Sequence, residues 1–310
     1  MSDSAGEETF LAEQPVPSEV AVGDIIAARV PTVAAARIYV LISAVLWSTS
    51  GFFVKSPYLV GWTGPRIAFW RAVFACVALW PLVRRPSWSL RLVPMTILFV
   101  GMNYTYLTAM AKGSAANAIW LQCTAPVWVL LVGVFVFGEK AVWRDWLMVA
   151  CATLGIGVII FFEMRGASLE AVLWALASSF FYAGVVLSLR QLRGYDSVWL
   201  AALNHLVTVI ALAPFAFGGV ALPSGVQWGV LAAFGIFQMG LPYALFAYSL
   251  KRIPGHEATA IGLVEPLLNP LWVFLAWGNR PAWWTVAGGS LILVGLAIRF
   301  LWRPRAKQHK

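Results

Sequence analysis

The stretch 125-APVWVLLVGVFVFGEKAVW-143 returns 140 positions later as 265-EPLLNPLWVFLAWGNRPAW-283. At that offset Pro126 lies on Pro266, Gly138 on Gly278, Lys140 on Arg280 and Trp143 on Trp283, and further on Gly155 lies on Gly295. A shift of about 135 aligns WSTSGFFVK (Trp47 to Lys55) with YAGVVLSLR (Tyr182 to Arg190) and puts Arg71 near His205. The chain reads as two related halves.

The medium in which those halves fold follows from composition. Of 310 residues, 61% are hydrophobic and 11% charged, where a soluble domain carries about 25% charged. Many of the 17 tryptophans flank apolar runs, the place where amphipathic rings sit at a bilayer interface. The chain divides into ten apolar segments, at 37–55, 65–83, 92–111, 115–137, 144–162, 169–190, 198–217, 226–250, 256–277 and 283–302. Each approaches the roughly 20 residues that cross about 30 Å of hydrocarbon as a helix.

Five spans per half is an odd number, so the second half enters the membrane from the side opposite the first, giving an inverted repeat about an axis in the membrane plane. The expected fold is an all-α integral membrane protein of ten transmembrane helices in two inverted five-helix repeats, at 37–162 and 169–302. Residues 1–36 are polar, acidic and proline-bearing, the composition of a flexible tail. They lack the basic start and apolar core of a signal peptide. Residues 303–310, RPRAKQHK, form a basic tail.

With the N-terminus in the cytoplasm, 16 lysines and arginines fall on the cytoplasmic side and 5 on the other. Positive charge inside is the usual bias, so both termini are expected in the cytoplasm and the protein in a bacterial-type inner membrane. The net charge of +9 then signals orientation and attraction to anionic lipid heads, and nucleic acid is not an expected partner. Cys76, Cys123 and Cys151 lie in apolar runs without CxxC spacing and read as packing residues. No metal and no cofactor is expected.

WSTSGFFVK at the end of the first span, FWRAVFA in the second, TAPVWVLLVGVFVFGEK in the fourth and VEPLLNPLWVFLAWG in the ninth resemble the EamA family of the drug/metabolite transporter superfamily. The resemblance covers roughly residues 37 to 302 as two repeats. It implies a transporter of small metabolites, often outward, with amino acids among the substrates of such proteins. The second repeat departs from the pattern: Asn279 stands where the first has Glu139.

The repeated stretch also carries the chemistry. Glu265 lies about nine residues into its span, roughly 13 Å deep at 1.5 Å per residue. A carboxylate there costs at least about 2.5 to 3.5 kcal/mol and must face the bundle interior or water. Pro266 and Pro270 each remove a helical hydrogen bond and free the carbonyls of Gly262 and Pro266, as Pro126 and Pro242 free those of Gln122 and Gln238. Such carbonyls are tolerated only against protein or a cavity. Glu265 either meets substrate or proton or braces a neighbouring helix. Arg71 is the candidate charge partner, or a helix-end residue that snorkels. His205 can titrate near neutrality or bridge two helices.

Other midspan polar and aromatic residues complete a candidate cavity: Trp47, Asn103, Tyr104, Tyr106, Trp120, Gln122, Tyr182, Asn204, Gln238, Tyr243, Tyr248 and Asn269. Rings and a few donors suit a small organic solute with an apolar part. The expected function is thus a secondary transporter moving a small organic metabolite outward by alternating access, an amino acid being one example, with protons as a coupling ion to test. A passive channel or a lipid-handling scaffold is the alternative. An intramembrane enzyme fits poorly: HEATA (256–260) lacks the second histidine of a zinc site, and no GxSxG elbow occurs.

Overall fold

The computed structural model describes residues 31–164, 169–192, 194–217, 221–253 and 255–301, and among these there is no strand. Fourteen α-helices are formed among the described residues: α1 (Val33–Trp47), α2 (Ser50–Val54), α3 (Gly64–Leu79), α4 (Leu92–Lys112), α5 (Ala115–Gln122), α6 (Ala125–Phe135), α7 (Trp143–Glu163), α8 (Leu169–Gln191), α9 (Ser197–Phe217), α10 (Gly225–Gly235), α11 (Leu241–Ser249), α12 (Gly255–Gly262), α13 (Val264–Trp277) and α14 (Trp283–Leu301). A π-helical turn, Ile236–Gly240, joins α10 to α11.

Nine stretches among the described residues are long and apolar enough to cross a membrane. The chain is a multi-pass membrane protein. The tenth expected stretch, 256–277, is α12 and α13, two helices that meet at Leu263. The first helix starts at Val33, because the Thr32 hydroxyl accepts from the Ala35 N–H at 3.2 Å and caps it. Residues 33–36, expected in the tail, therefore belong to the membrane helix. The rest of that tail through residue 30, and the basic tail at 303–310, lie outside the described residues.

Proline places the repeated breaks. α5 and α6 part at Cys123–Thr124, ahead of Pro126, and α12 and α13 part at Leu263, ahead of Pro266. The offset of 140 carries residue 123 onto 263, so the interruption itself recurs. Two other irregularities have no counterpart in the opposite half: the break between α1 and α2 at Ser48–Thr49, and the π turn preceding Pro242.

The principal pairings survive exchange of the halves. α7 packs along α14 and α3 along α9, each helix against its own mate, while α4 against α8 exchanges into α11 against α1. The α7–α14 seam is closest at small residues: a Cβ on Gly155 would stand 2.4 Å from the Gly288 carbonyl oxygen, and one on Gly288 2.6 Å from that of Gly155. The exchanged contact puts Gly295 against Met148, with 3.3 Å to its oxygen. Glycine here permits backbones to approach as no larger residue would.

Polar contacts sort the helix ends into two faces. On one, the Lys55 ammonium donates to the Gly113 carbonyl at 2.5 Å, and Glu163 accepts from Asn117 at 2.8 Å and Trp284 at 3.2 Å. On the other, Arg37 pairs with Glu257 at 2.5 Å, and Arg299 pairs with Asp145. α5 begins on the Lys55 face and its mate α12 on the Arg37 face.

Candidate functional site

Interruptions of regular helix converge at the centre of the bundle. The α1–α2 break exposes the Trp47 carbonyl, and Gln238 in the π turn donates its amide to it at 3.1 Å. π turns expose backbone and re-aim side chains, and they recur at functional sites. The same Gln238 turns its amide oxygen to Arg71, 3.4 Å from Nη1, while Arg71 Nη2 donates to Asn103. Asn103 is held in turn by its amide donating to the Phe99 carbonyl at 2.9 Å. The guanidinium is 1% exposed, lies 5.1 Å from the centre of the Phe234 ring, and keeps Nε without a partner.

Glu265 opens α13 immediately after the Leu263 break and is half-buried. Among the described residues its carboxylate has neither hydrogen bond nor ion pair. Tyr106, Tyr182, Tyr243 and Cys123 lie within electrostatic range of its carboxyl group. Tyr106 and Tyr243 are also in range of Arg71, so the two side chains share a pair of phenols as neighbours. Tyr182 has 40% of its surface open, yet it lies in the range of Glu265 and Tyr243. Trp47 packs against the same tyrosine, its ring 5.3 Å from Tyr243 and 5.2 Å from Phe246.

Side-chain bonds tie α13 to α1, α2 and α5. The Trp120 indole donates to the Pro266 carbonyl at 2.7 Å, which satisfies the acceptor that Pro270 deprives of its helical donor. The Asn269 amide donates to Ser50 at 2.7 Å, and Ser50 meets the Tyr106 hydroxyl at 3.0 Å. Trp272 donates to Ser48 at 2.8 Å, and Trp277 to the Phe52 carbonyl at 2.8 Å.

His205 is fully buried with both ring nitrogens unpartnered, edge-on to Phe99 at 5.2 Å and to Tyr243 at 6.0 Å, and within reach of the Arg71 charge. Asn204, beside it, is buried with its amide oxygen unpartnered. The expected grouping of Arg71, Asn103, Tyr106, Gln238, Tyr243, Tyr182, Trp47, His205 and Glu265 is thus assembled in one region. Asn269 and Trp120 belong to its boundary, and Gln122 closes α5 beside it, half-buried. Tyr104 is placed elsewhere, in an aromatic cluster with Trp174 at 5.7 Å and Phe215 at 5.6 Å. Tyr248 stacks obliquely on Tyr39 at 6.0 Å, towards the Arg37 face.

Ser48, Ser50, Trp272 and Phe234 are contributors that sequence reasoning passed over. Hydroxyls clustered in WSTSG where an apolar run ends were the available signal for the first two. Chemically, an uncompensated carboxylate beside phenols and an indole can hold a proton or a cationic group while the rings cover an apolar body. No group of three or more His, Cys, Asp or Glu among the described residues could hold a metal ion.

Comparison with known proteins identifies the family. The model of a family described as the EamA-like transporter family matches residues 35–161 and again 169–301. A protein of Archaeoglobus fulgidus described as an uncharacterized transporter is 26% identical over 85% of this chain and 95% of its own. The pseudopaline exporter CntI of Pseudomonas aeruginosa is 27% identical over 74% of this chain and 83% of its own. The biotin transporter of Escherichia coli is 24% identical over 86% and 94%. A solved crystal structure, 20% identical, superposes with a TM-score of 0.61 over 86% of this chain and 98% of that one, and so shares the fold.

Proposed function

The chain belongs to the EamA-like transporter family, and on that premise we propose that it is a carrier exporting a small organic metabolite through the inner membrane by alternating access. It would be no enzyme, and both termini would face the cytoplasm. In this reading the ten spans are two inverted five-helix halves that rock about a central site comprising Glu265, Trp47, Tyr106, Tyr182 and Tyr243. The observation that carries the proposal is the Glu265 carboxyl group, half-buried at the start of α13 with neither hydrogen bond nor ion pair among the described residues. A charge held there at a cost of at least about 2.5 to 3.5 kcal/mol is retained where it lies on a solute or ion path.

The relatives named as a pseudopaline exporter and a biotin transporter support a small organic solute. Arg71 acts in this reading as a brace of the site, since Asn103 and Gln238 already occupy it.

A thermal-shift screen of the purified full chain against a metabolite library tests this, because a ligand that binds the folded state alone raises apparent stability by mass action. A stabilising compound whose effect disappears in Glu265→Gln supports the central site. A compound that stabilises wild type and Glu265→Gln alike, and is transported by both, removes Glu265 from the mechanism.

A further inference from the structure

A second cavity, of about 380 Å³, opens on the Lys55 face where α2, α5 and the α13–α14 connection meet. Lys55, Ser114, Asn279 and Arg280 supply its polar lining, and Gly113, Ala115, Ala116 and Gly278 leave it roomy. Among the described residues no acidic side chain lines it. The nearby carboxylates are engaged elsewhere: Glu170 with Lys112 at 3.0 Å, and Glu163 with Asn117 and Trp284. Lys55 donates only to the neutral Gly113 carbonyl, and neither Lys55 nor Arg280 has an ion pair among the described residues.

The repeat sharpens the point. In the first half Glu139 stands beside Lys140, and its carboxylate folds back on Gly133, 2.7 Å from where a Cβ would lie. At the equivalent place the second half has Asn279 beside Arg280. The exchange leaves a neutral amide where the first half has a carboxylate. A lysine or arginine at a membrane interface ordinarily snorkels to lipid heads, but here Lys55 is directed at the Gly113 carbonyl within the cavity wall.

We propose that this vestibule is a second binding site, for a small oxyanion, with Lys55 and Arg280 holding a carboxylate or phosphate group. Asn279 adds an amide donor, and the N-terminus of α5 adds its positive end. Along α13 Glu265 precedes Asn269, while the helix's lining residues Pro270 and Val273 follow it and Glu265 does not line the cavity, so this is a mouth of the bundle distinct from the central site.

The experiment uses the full chain in phosphatidylcholine nanodiscs, with succinate and inorganic phosphate as probes and neutral succinamide as control. Succinate and phosphate are expected to raise the unfolding temperature by about 2 to 5 °C at concentrations well above Kd, and succinamide to leave it unchanged. The shift is expected to disappear in Lys55→Gln with Arg280→Gln and to persist in Lys55→Arg. A readout that needs no variant is amidination of Lys55 by methyl acetimidate, mapped by mass spectrometry and slowed severalfold by succinate. Adding phosphatidylglycerol separates the sources. If it protects Lys55 and suppresses the succinate effect, the group held is a lipid phosphate, and if succinate acts equally in both discs it is a free solute. Absence of any shift or protection with every probe, or an equal shift in the double variant, overturns the site. Neither result depends on Glu265, so this test fails or succeeds apart from the carrier reading.

Discussion

The side chain of Gln238 donates to the backbone carbonyl of Trp47, 191 residues away in sequence, at 3.1 Å. That bond joins the π turn of one half to the broken helix of the other, and the same amide accepts from Arg71. One side chain thereby satisfies a freed carbonyl and a buried cation together.

Replacing Gln238 with Leu is expected to destabilise the fold by about 1 to 3 kcal/mol, the cost of leaving buried polar groups without partners. Gln238→Glu, which can still accept from Arg71, is expected to keep more of that stability. Equilibrium unfolding in mixed micelles measures both, and equal losses would show that the contact to Arg71 contributes nothing.

Trp120→Phe keeps the ring but deletes the donor to Pro266. We expect a loss of about 1 to 3 kcal/mol. Gly289→Ala should act on the same contact from the other side, because its Cβ would fall 1.8 Å from the Trp120 ring and displace it. The double variant is expected to cost less than the sum, since both disturb one interaction. Additive losses would indicate that Gly289 supports something else.

At the α7–α14 seam, Gly155→Val and Gly288→Val each drive a side chain into the opposing carbonyl. Overpacking of this kind costs about 1 to 3 kcal/mol. If the halves rock about this seam, each variant should also slow transport by more than its stability loss explains, measured as initial rate per folded protein.

Asp145 is nearly buried and caps α7 by accepting from the Val142 N–H at 2.7 Å while pairing with Arg299, itself 42% exposed. Arg299→Gln leaves that carboxylate without its cation and is expected to cost about 2 kcal/mol, below the 3 to 5 of a fully buried pair because water reaches the arginine side. Asp145→Asn with Arg299→Gln should recover part of the loss, and a double variant no better than Arg299→Gln alone would contradict the pairing.

What the sequence discloses here is what proline, glycine and tryptophan mark. Pro126 and Pro266 at one offset reveal the repeat and, as the structure shows, the repeated helix break between residues 123 and 124 and at 263. The freed Pro266 carbonyl is predictable from Pro270 alone. Its donor is not, because Trp120 reaches it only through the packing of α5 on α13. The α1–α2 break and the π turn leave no repeated signature, and each depends on a partner in the other half. Tyr104 and Tyr106 are both midspan tyrosines on one helix, yet Tyr106 meets Ser50 and Tyr104 meets Trp174 and Phe215. Two residues apart on a helix point in widely different directions, and only the packing order of the helices says which of them faces the site.

The central claim is that solute moves through the bundle by alternating exposure of the site at Glu265. Counterflow in liposomes tests it most directly, using a stabilising compound from the metabolite screen, loaded unlabelled inside and supplied labelled outside. The account predicts transient uphill accumulation of label by wild type and its loss in Glu265→Gln at equal folded protein. Flux that never saturates and shows no overshoot, or full counterflow by Glu265→Gln, would contradict it.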